Sequence, residues 1–505
     1  MFSPTKEQVD NLRLVQTENR IKIVAGAGTG KSSSLRYMAK ELPEKNFLVL
    51  CFNSANAEES SKHPDRPPNI FYATVHSLAY REIITKEVTT KMKEKLGSYL
   101  DFNDLTSLGL EKFIPDKNLV VVRRTILEIV TLFCRSKEKD IQQFAESNLP
   151  NYFTSSIPSL KYTNVDLLPD TIKSIAFKVK QYWELLIDSG HKAKITHDVY
   201  LKVYDIHEYK VNIFTEKSTY LKVKIHSIVL DEAQDSNPVT ESIFDRQEHL
   251  QQIMVGDPMQ QLYAWRGAGK AMSNFDRCYI GKLTESFRFN STIAAKANIV
   301  LLKAGSNMQL TGSSKKDTIN SIAYLCRSNA GVVEQLIPFI GTTIKVYTSI
   351  NLKDVYSKLL HIAQCRKNER PSWPNKDFIN IIDKQTLEDA MKHSEELDRY
   401  INLGRELSKF GTIKEIRLAL DSILVDNPSK ATVIVSTGHA SKGLEYDRVI
   451  ISDDFLPIKE HHSESFIKKV VSDMWDKEEL TCLLYVMLTR ARVELRLPYY
   501  LEKYL

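Results

Sequence analysis

The stretch "IVAGAGTGKSSSL", residues 23–35, decides how the rest of the chain is read. It begins as an apolar run, passes through glycines at alternate positions, and ends in Lys, Ser and Leu residues that open a helical pattern. Gly26, Gly28 and Gly30 let the backbone curl so that its N–H groups face phosphate oxygens. Lys31 would reach the β- and γ-phosphates of a nucleotide, and Ser32 would bind Mg2+. The strict form of this pattern has Gly where the chain has Ala25. The strand before and the helix after disfavour the alternative, a glycine-rich turn with an incidental Lys. With Ala27, Thr29 and Ser33, residues 25–33 form a candidate cradle for ATP.

Working outward, short apolar strands alternate with polar helical segments. "IKIVAGAG" (21–28), "FLVLCFN" (47–53), "IFYATVH" (70–76), "KIHSIVLDEA" (224–233) and "QQIMVGD" (251–257) are β-rich runs. "TINSIAYLCRSN" (318–329), "ATVIVST" (431–437) and "RVIISDDF" (448–455) repeat the style. "KEELTCLLYVMLTRARV" is helical in pattern, and "ELRLP" is a candidate last strand. Strands alternating with helices imply parallel sheets covered on both faces. Residues 86–204 and 346–429 are instead mostly helical, the first with Lys-rich faces such as "KEVTTKMKEKL" and the second broken at "RPSWPN" (370–375). The expected fold is therefore α/β, with two parallel-sheet domains, each interrupted by a mostly helical insertion. One domain takes residues 1–85 and 205–285, and the other takes 286–345 and 430–505.

Composition sets the outer bounds. At 505 residues the chain exceeds one ordinary domain, and about two to four are expected. Apolar content of 42% with 26% charged residues is that of a soluble globular protein. No long apolar run suggests a membrane span, and the first residues do not resemble a signal peptide. The Cys residues are scattered singly, without CxxC spacing, so neither a disulfide framework nor a zinc site is supported and a reducing setting fits best. A net charge of +6 permits a nucleic-acid partner but does not argue for one alone.

A phosphate loop needs a carboxylate at a neighbouring strand end, and "SIVLDEAQD" (227–235) supplies it. Asp231 would hold Mg2+, and Glu232 would polarise the attacking water. A helix N-terminal acidic pair is the alternative for these two, weakened by the phosphate loop upstream. "VGDPMQQLYAWRGA" (255–268) then gathers an acid, two amides, two aromatic rings and a guanidinium in one short run.

"AGAGTGKS", "DEAQD", "VGDPMQQLYAWRGA", "LTESFRFN", "HASKGLEYD" and "YVMLTRAR" occur in that order. This set resembles the superfamily 1A helicases of the UvrD/Rep/PcrA type and spans the whole chain. "THDVYLKVY" (196–204), Gln260 with Gln261, "ESFRF" and "SDDF" (452–455) look most similar to the F-box DNA helicase subgroup. No F-box precedes the motor motifs, so ubiquitin-ligase partners are not carried over. The resemblance implies two RecA-like domains and an ATP-driven motor. Such a motor moves on single-stranded DNA, usually 3′ to 5′, and separates duplexes at single-strand/double-strand junctions in replication, recombination or repair. A DNA-stimulated ATPase that strips proteins from single strands with little unwinding is the alternative, and an RNA-directed role is a third.

What the resemblance implies for single residues follows its motifs. Gln8 in "TKEQVDNL" is similar to the glutamine that reads the adenine edge, Phe287 to the aromatic residue that stacks on adenine, and Glu445 to the acid near the ribose. Arg288 and Arg490 resemble the arginines that clamp the γ-phosphate from the second domain. A finger supplied across a cleft makes turnover depend on closure. Gln260 resembles the γ-phosphate sensor. DNA contacts are implied for Phe52, Asn53, Thr74, His76, Tyr263, Trp265, Arg266, His439 and Ser441, since small polar groups bond phosphates and rings stack on bases. For His76 an ordinary half-buried histidine stays open, and for Tyr263 packing beneath its loop. The family often has Arg or Lys where this chain has Ser33. The second insertion is short for the family, and the sequence ends soon after Arg490, so a fused nuclease is not expected. A monomer in the cytoplasm of a bacterial or virus-infected cell, associated with the nucleoid through DNA, is the expected setting.

Overall fold

The apolar runs of the first half line up, side by side, in one sheet. The computed structural model describes residues 3–86, 93–112, 114, 116–154, 169–215, 222–262, 271–372, 375–378, 381–391, 394–459 and 461–505. The chain divides into two compact units, Met1–Ala25 with Gly30–Leu283, and Gly26–Thr29 with Thr284–Leu505.

In the first unit the strands are β1 (Arg20–Ala25), β2 (Phe47–Cys51), β3 (Ile70–Thr74), β4 (Ile213–Thr215), β5 (Lys222–Lys224), β6 (Ser227–Leu230), β7 (Gln251–Gly256) and β8 (Tyr279–Leu283). Six of them form a sheet in the order β3-β2-β6-β7-β1-β8, every pair parallel. β4 and β5 make a separate antiparallel hairpin. β2, β6 and β7 are buried along their whole length, as strands covered on both faces must be. Side chains alternate between two cores. Val49, Val229 and Ile253 point to one side with Val15, Leu35 and Met38, while Leu48, Leu50, Ile228, Leu230 and Met254 point to the other. The sixth strand, β8, was not among the apolar runs of the sequence, because Tyr279 and Ile280 on this edge strand are exposed.

The helices of this unit are α1 (Lys6–Thr17), α2 (Lys31–Glu41), α3 (Ser54–Ser61), α4 (Val75–Ala79), α5 (Asp116–Arg135), α6 (Ile141–Thr154), α7 (Pro169–Ile187), α8 (His197–Ile206), α9 (Pro238–Asp245) and α10 (Ala271–Asn274). Two buried charges fix the helical segment between β3 and β6. The Lys-rich stretch turns Lys95 inward, where its Nζ donates to the carbonyls of Leu185, Leu186 and Asp188 at 3.3, 2.8 and 2.5 Å. A cation there satisfies the carbonyls left over at the end of α7. Asp205, fully buried at the end of α8, accepts from Arg246 (2.6 Å), Ser242 (2.8 Å), Lys139 (2.9 Å) and Lys202 (3.2 Å), tying α8 to α9. Burial alone would raise the Asp205 pKa, but these donors outweigh it and hold the carboxyl below its ordinary value.

The second unit contains β9 (Glu285–Ser286), β10 (Thr311–Gly312), β11 (Ile322–Cys326), β12 (Val346–Thr348), β13 (Val433–Thr437), β14 (Tyr446–Ile451) and β15 (Ala491–Arg496). Its main sheet runs β12-β13-β11-β14-β15, again all parallel. Around it lie α11 (Ser291–Lys303), α12 (Asn329–Leu336), α13 (Leu352–Arg366), α14 (Lys384–Met391), α15 (Glu395–Leu407), α16 (Ile413–Ile423), α17 (Glu464–Trp475), α18 (Glu478–Leu488) and α19 (Tyr499–Glu502). α13 to α16 share one core with the sheet, in which Val346, Val433 and Val435 pack with Leu359, Leu403 and Leu420. The helix expected to run through "TRARV" stops at Leu488, and the next strand starts at Ala491. The cause is the sheet edge: the N–H of Tyr446 donates to the carbonyl of Arg490 (2.9 Å), drawing this segment alongside β14. Both units are thus α/β with parallel sheets, the two RecA-like folds that the resemblance implies. No helix among the described residues is long and apolar enough to cross a membrane.

Candidate nucleotide and nucleic-acid site

In the first unit β6, β7 and β1 are neighbours, so the residues just past their carboxyl ends converge. In open parallel sheets this is where ligands bind. Lys31 is the first residue of α2, behind Gly30, whose φ of 76° lies in the left-handed region that glycine adopts without cost. Gly28 shares that region with φ 73°, and Thr29 closes the turn by donating to the carbonyl of Gly26 (2.9 Å). Ala25 ends β1, and Ala27, like Thr29, is buried.

Lys31 Nζ donates to Glu232 Oε2 at 2.7 Å. Burial works against its charge, but Glu232, Asp231 and Asp257 outweigh that and hold its pKa above the ordinary lysine value. Asp231 is pushed up to about 6, first by burial and then by the neighbouring Glu232 carboxylate. Glu232 has φ 50°, a strained backbone for a residue with a side chain, of a kind that concentrates at functional positions. Three buried or half-buried carboxylates around one lysine, with the exposed hydroxyl of Ser32 at the start of α2, fit a divalent cation held by Asp231 and Ser32. Bound Mg2+ would neutralise phosphate charge there.

A relay of amides runs on from this cluster. Gln234 Nε2 donates to Glu232 Oε2 (2.6 Å), and Gln234 Oε1 accepts the N–H of Asp257 (3.0 Å). Gly256 makes room for it, since a Cβ there would lie 2.4 Å from Gln234 Oε1. Asp257 accepts Gln260 Nε2 at 2.6 Å, so a buried Gln260 is connected, hydrogen bond by hydrogen bond, to Glu232. Burial above all raises the Asp257 pKa. Gln8 is buried, its Oε1 accepting the Thr5 N–H (3.0 Å) and its Nε2 donating to Ser34 Oγ (3.0 Å). Ser33 accepts from Arg36 (3.2 Å), which places a cation one turn along α2 from the position where the family often has one. Gln234 and Arg36 escaped the sequence reading, although Gln234 stands inside "DEAQD" itself.

In the second unit Arg288 pairs with Glu445 (Nε to Oε1, 2.7 Å) and donates to the carbonyl of Thr489 (3.1 Å). Phe287, beside it, is 49% exposed, as a ring that stacks on a base must be. Arg490 is buried, with its guanidinium on the carbonyls of Val486 (3.0 Å) and Leu444 (3.3 Å) and on Thr489 Oγ1 (3.3 Å). Arg288, Glu445 and Arg490 therefore gather around segments 444–445 and 489–490.

The residues singled out for DNA divide into groups. Phe52 is 44% exposed at the end of β2, and Asn53 caps α3 by accepting the N–H of Asn56 (2.8 Å). Thr74 caps α4 reciprocally with Ser77. His76 Nε2 lies 3.4 Å from Asp198 Oδ1, and the other oxygen of Asp198 takes Arg135 (3.2 Å), so this half-buried histidine has a structural partner. His439 lines a cavity of about 380 Å³ together with Arg327, Asn329 and Thr437, and burial lowers its pKa. Arg327 and Asn329, missed in the sequence, stand at the end of "YLCRSN", in the position where a strand hands over to a helix. Ser441 needs correction as a surface contact: it is fully buried, and its hydroxyl donates to the carbonyl of Gly438 (2.7 Å) inside its own turn. Tyr263, Trp265 and Arg266 lie outside the described residues.

The model of the UvrD/REP helicase N-terminal domain matches residues 5–279, more than half of the chain. F-box DNA helicase 1 of Gallus gallus is 27% identical over 94% of this chain and 46% of its own length. F-box DNA helicase protein 1 of Schizosaccharomyces pombe is 28% identical over 94% of this chain and 55% of its own length. The ATP-dependent DNA helicase PcrA of Staphylococcus aureus is 24% identical over 56% of this chain and 38% of its own length. The chain spans about half the length of the F-box relatives it matches. These relatives correct the expected setting. Two relatives that match over 94% of this chain come from a bird and a yeast, which overturns a bacterial or virus-infected cell and its cytoplasm. The motif order, the parallel sheets and the match over residues 5–279 together make this chain a member of the UvrD/REP helicase family.

Proposed function

We propose that the chain is the motor of an ATP-dependent DNA helicase, moving 3′ to 5′ on single-stranded DNA as a monomer and opening duplexes at single-strand/double-strand junctions in replication, recombination or repair. Residues 86–204 and 346–429 act as its two helical insertions. The observation that carries this reading is the Lys31–Glu232 pair with Asp231, set past the carboxyl ends of the parallel strands β1 and β6 that flank β7, behind a phosphate loop.

In the proposed cycle the events follow one order. Before nucleotide arrives, Lys31 neutralises Glu232. A γ-phosphate is the stronger partner for Lys31 and takes it over, which frees the Glu232 carboxylate to orient the attacking water. Gln260, linked through Asp257 and Gln234 to Glu232, registers the presence of the γ-phosphate. Arg288 and Arg490 supply positive charge as the phosphoryl group departs. Phe287 and Gln8 hold the adenine, and Glu445 lies by the ribose. Phe52, Asn53, Thr74, His76 and His439, with Arg327 and Asn329, bind the strand.

The test is strand displacement on 3′- and 5′-tailed duplexes, alongside ATP turnover with and without single-stranded DNA, with Glu232→Gln as control. Displacement of the 3′-tailed substrate alone, with turnover stimulated by DNA and abolished in the control, is the expected result. Stimulated turnover without displacement of either substrate would favour a protein-stripping ATPase, and no stimulation would defeat the motor reading.

A further inference from the structure

The cavity that holds His439 has a second wall. On one side stand Arg327, Asn329 and Thr437 from the strand ends of the sheet, and on the other Glu396, Arg399 and Tyr400 from α15. Glu396 is bound to Lys358 Nζ (3.1 Å). Arg399 reaches across: its Nη1 donates to the carbonyl of Asp454 at 2.6 Å and lies 3.4 Å from Asp454 Oδ2. Asp454, just past β14, spends its carboxylate on the loop between β11 and α12. Oδ1 accepts the N–H of Arg327 (2.9 Å), and Oδ2 accepts the N–H and the hydroxyl of Ser328 (3.0 and 2.9 Å). Gly331 leaves the seat for this carboxylate, since a Cβ there would come within 2.0 Å of Oδ2. Ser328 in turn caps α12 by accepting the Gly331 N–H (3.0 Å).

The chain of contacts is short and continuous: α15, Arg399, Asp454, the Arg327–Ser328 backbone. Arg399 is the cation nearest the Asp454 carboxylate in it, and its Nη2 is buried without a hydrogen-bond partner among the described residues. A guanidinium kept there with one nitrogen unsatisfied costs more than a surface cation would. Its return is the placement of Asp454, and through it of the loop that carries Arg327 and Asn329.

We propose that Arg399 is a positioning residue for strand binding: acting through Asp454, it fixes the Arg327–Asn329 loop, so that the helical insertion sets the affinity of the second unit for a single strand. This rests on the motor reading above for the identity of the ligand.

The experiment is fluorescence anisotropy with fluorescein-labelled oligo(dT), together with oligo(dT)-stimulated ATP turnover, on the full chain. Arg399→Met should raise both the dissociation constant and the half-stimulating oligo(dT) concentration about tenfold, the cost of one charge-assisted bond. Turnover at saturating oligo(dT) should stay within about twofold of wild type. Asp454→Asn should give a similar rise, and the double variant little more, since both act through one loop. Arg399→Lys, which keeps the charge and one bond, should fall between, and it decides the matter where the Met variant melts early. Unchanged half-saturation, a loss confined to turnover at saturation, or additive effects would each overturn the proposal while leaving the motor reading in place. A wild-type protein that bound no oligo(dT) would overturn both.

Discussion

In the first unit the candidate phosphate-binding groups are a lysine set among Asp231, Glu232 and Asp257, held by burial and mutual charge. In the second unit they are two arginines whose hydrogen bonds go elsewhere. Arg288 is engaged by Glu445 and by the Thr489 carbonyl, and Arg490 by the backbone around it. One arrangement is poised: a single exchange of Lys31 from carboxylate to phosphate completes it. The other is stored: to take the role proposed for them, its arginines would first give up their present partners. In the proposed motor that asymmetry would keep the groups assigned to nucleotide binding ready while those assigned to its hydrolysis wait.

The largest expected effect tests the poised side. Lys31→Met should cut DNA-stimulated ATP turnover by about 10²–10³-fold or more, as loss of a central electrostatic stabiliser does. A drop of less than about tenfold would move the phosphate contact away from Lys31.

The stored side predicts a split between two arginines. Arg490→Met should lose about 2–4 kcal/mol in urea unfolding of the protein, since it strands buried carbonyls. Arg288→Met, whose partner Glu445 is 37% exposed, should lose less than about 1 kcal/mol. Both should depress turnover strongly. Equal stability losses would show that the two arginines are not held differently.

The smallest effect is a matter of pH. The Asp231 pKa is higher in the folded protein than in an unfolded chain, so the folded state binds this proton more tightly. The resulting stability is complete below about pH 4 and is lost as pH rises through about 6. Asp231→Asn cannot titrate. Its melting temperature should therefore gain on that of the wild type between about pH 4 and 7. A constant difference across that interval would mean that Asp231 is not held in the buried cluster.

How far the sequence exposed these features follows from distance along the chain. The phosphate loop was legible because strand, glycines, Lys31 and helix start are contiguous. Asp231 and Glu232 were legible because a carboxylate at the end of an apolar run has a local signature. The Arg288–Glu445 pair joins residues 157 apart, and no local pattern announces it. Arg399 and Asp454 meet across 55 residues, from a helix that looks merely amphipathic in sequence. Ser441 misled because a motif fixes residue type but not which way a hydroxyl turns, and Lys95 because a lysine in a lysine-rich run looks solvated. The edge strand β8 was overlooked since its exposed Tyr279 and Ile280 break the apolar continuity of its neighbours.

The sheet order carries one more consequence, for the order in which the molecule comes into being. β1, which leads into the phosphate loop, pairs with β7 on one side and β8 on the other. Both partners emerge from the ribosome only after residue 250. Until then the strand that leads into the fuel site has no neighbour, and such long-range parallel pairing is slow to form. The strand before the phosphate loop therefore gains its sheet neighbours only when the stretch from Gln251 to Leu283 arrives.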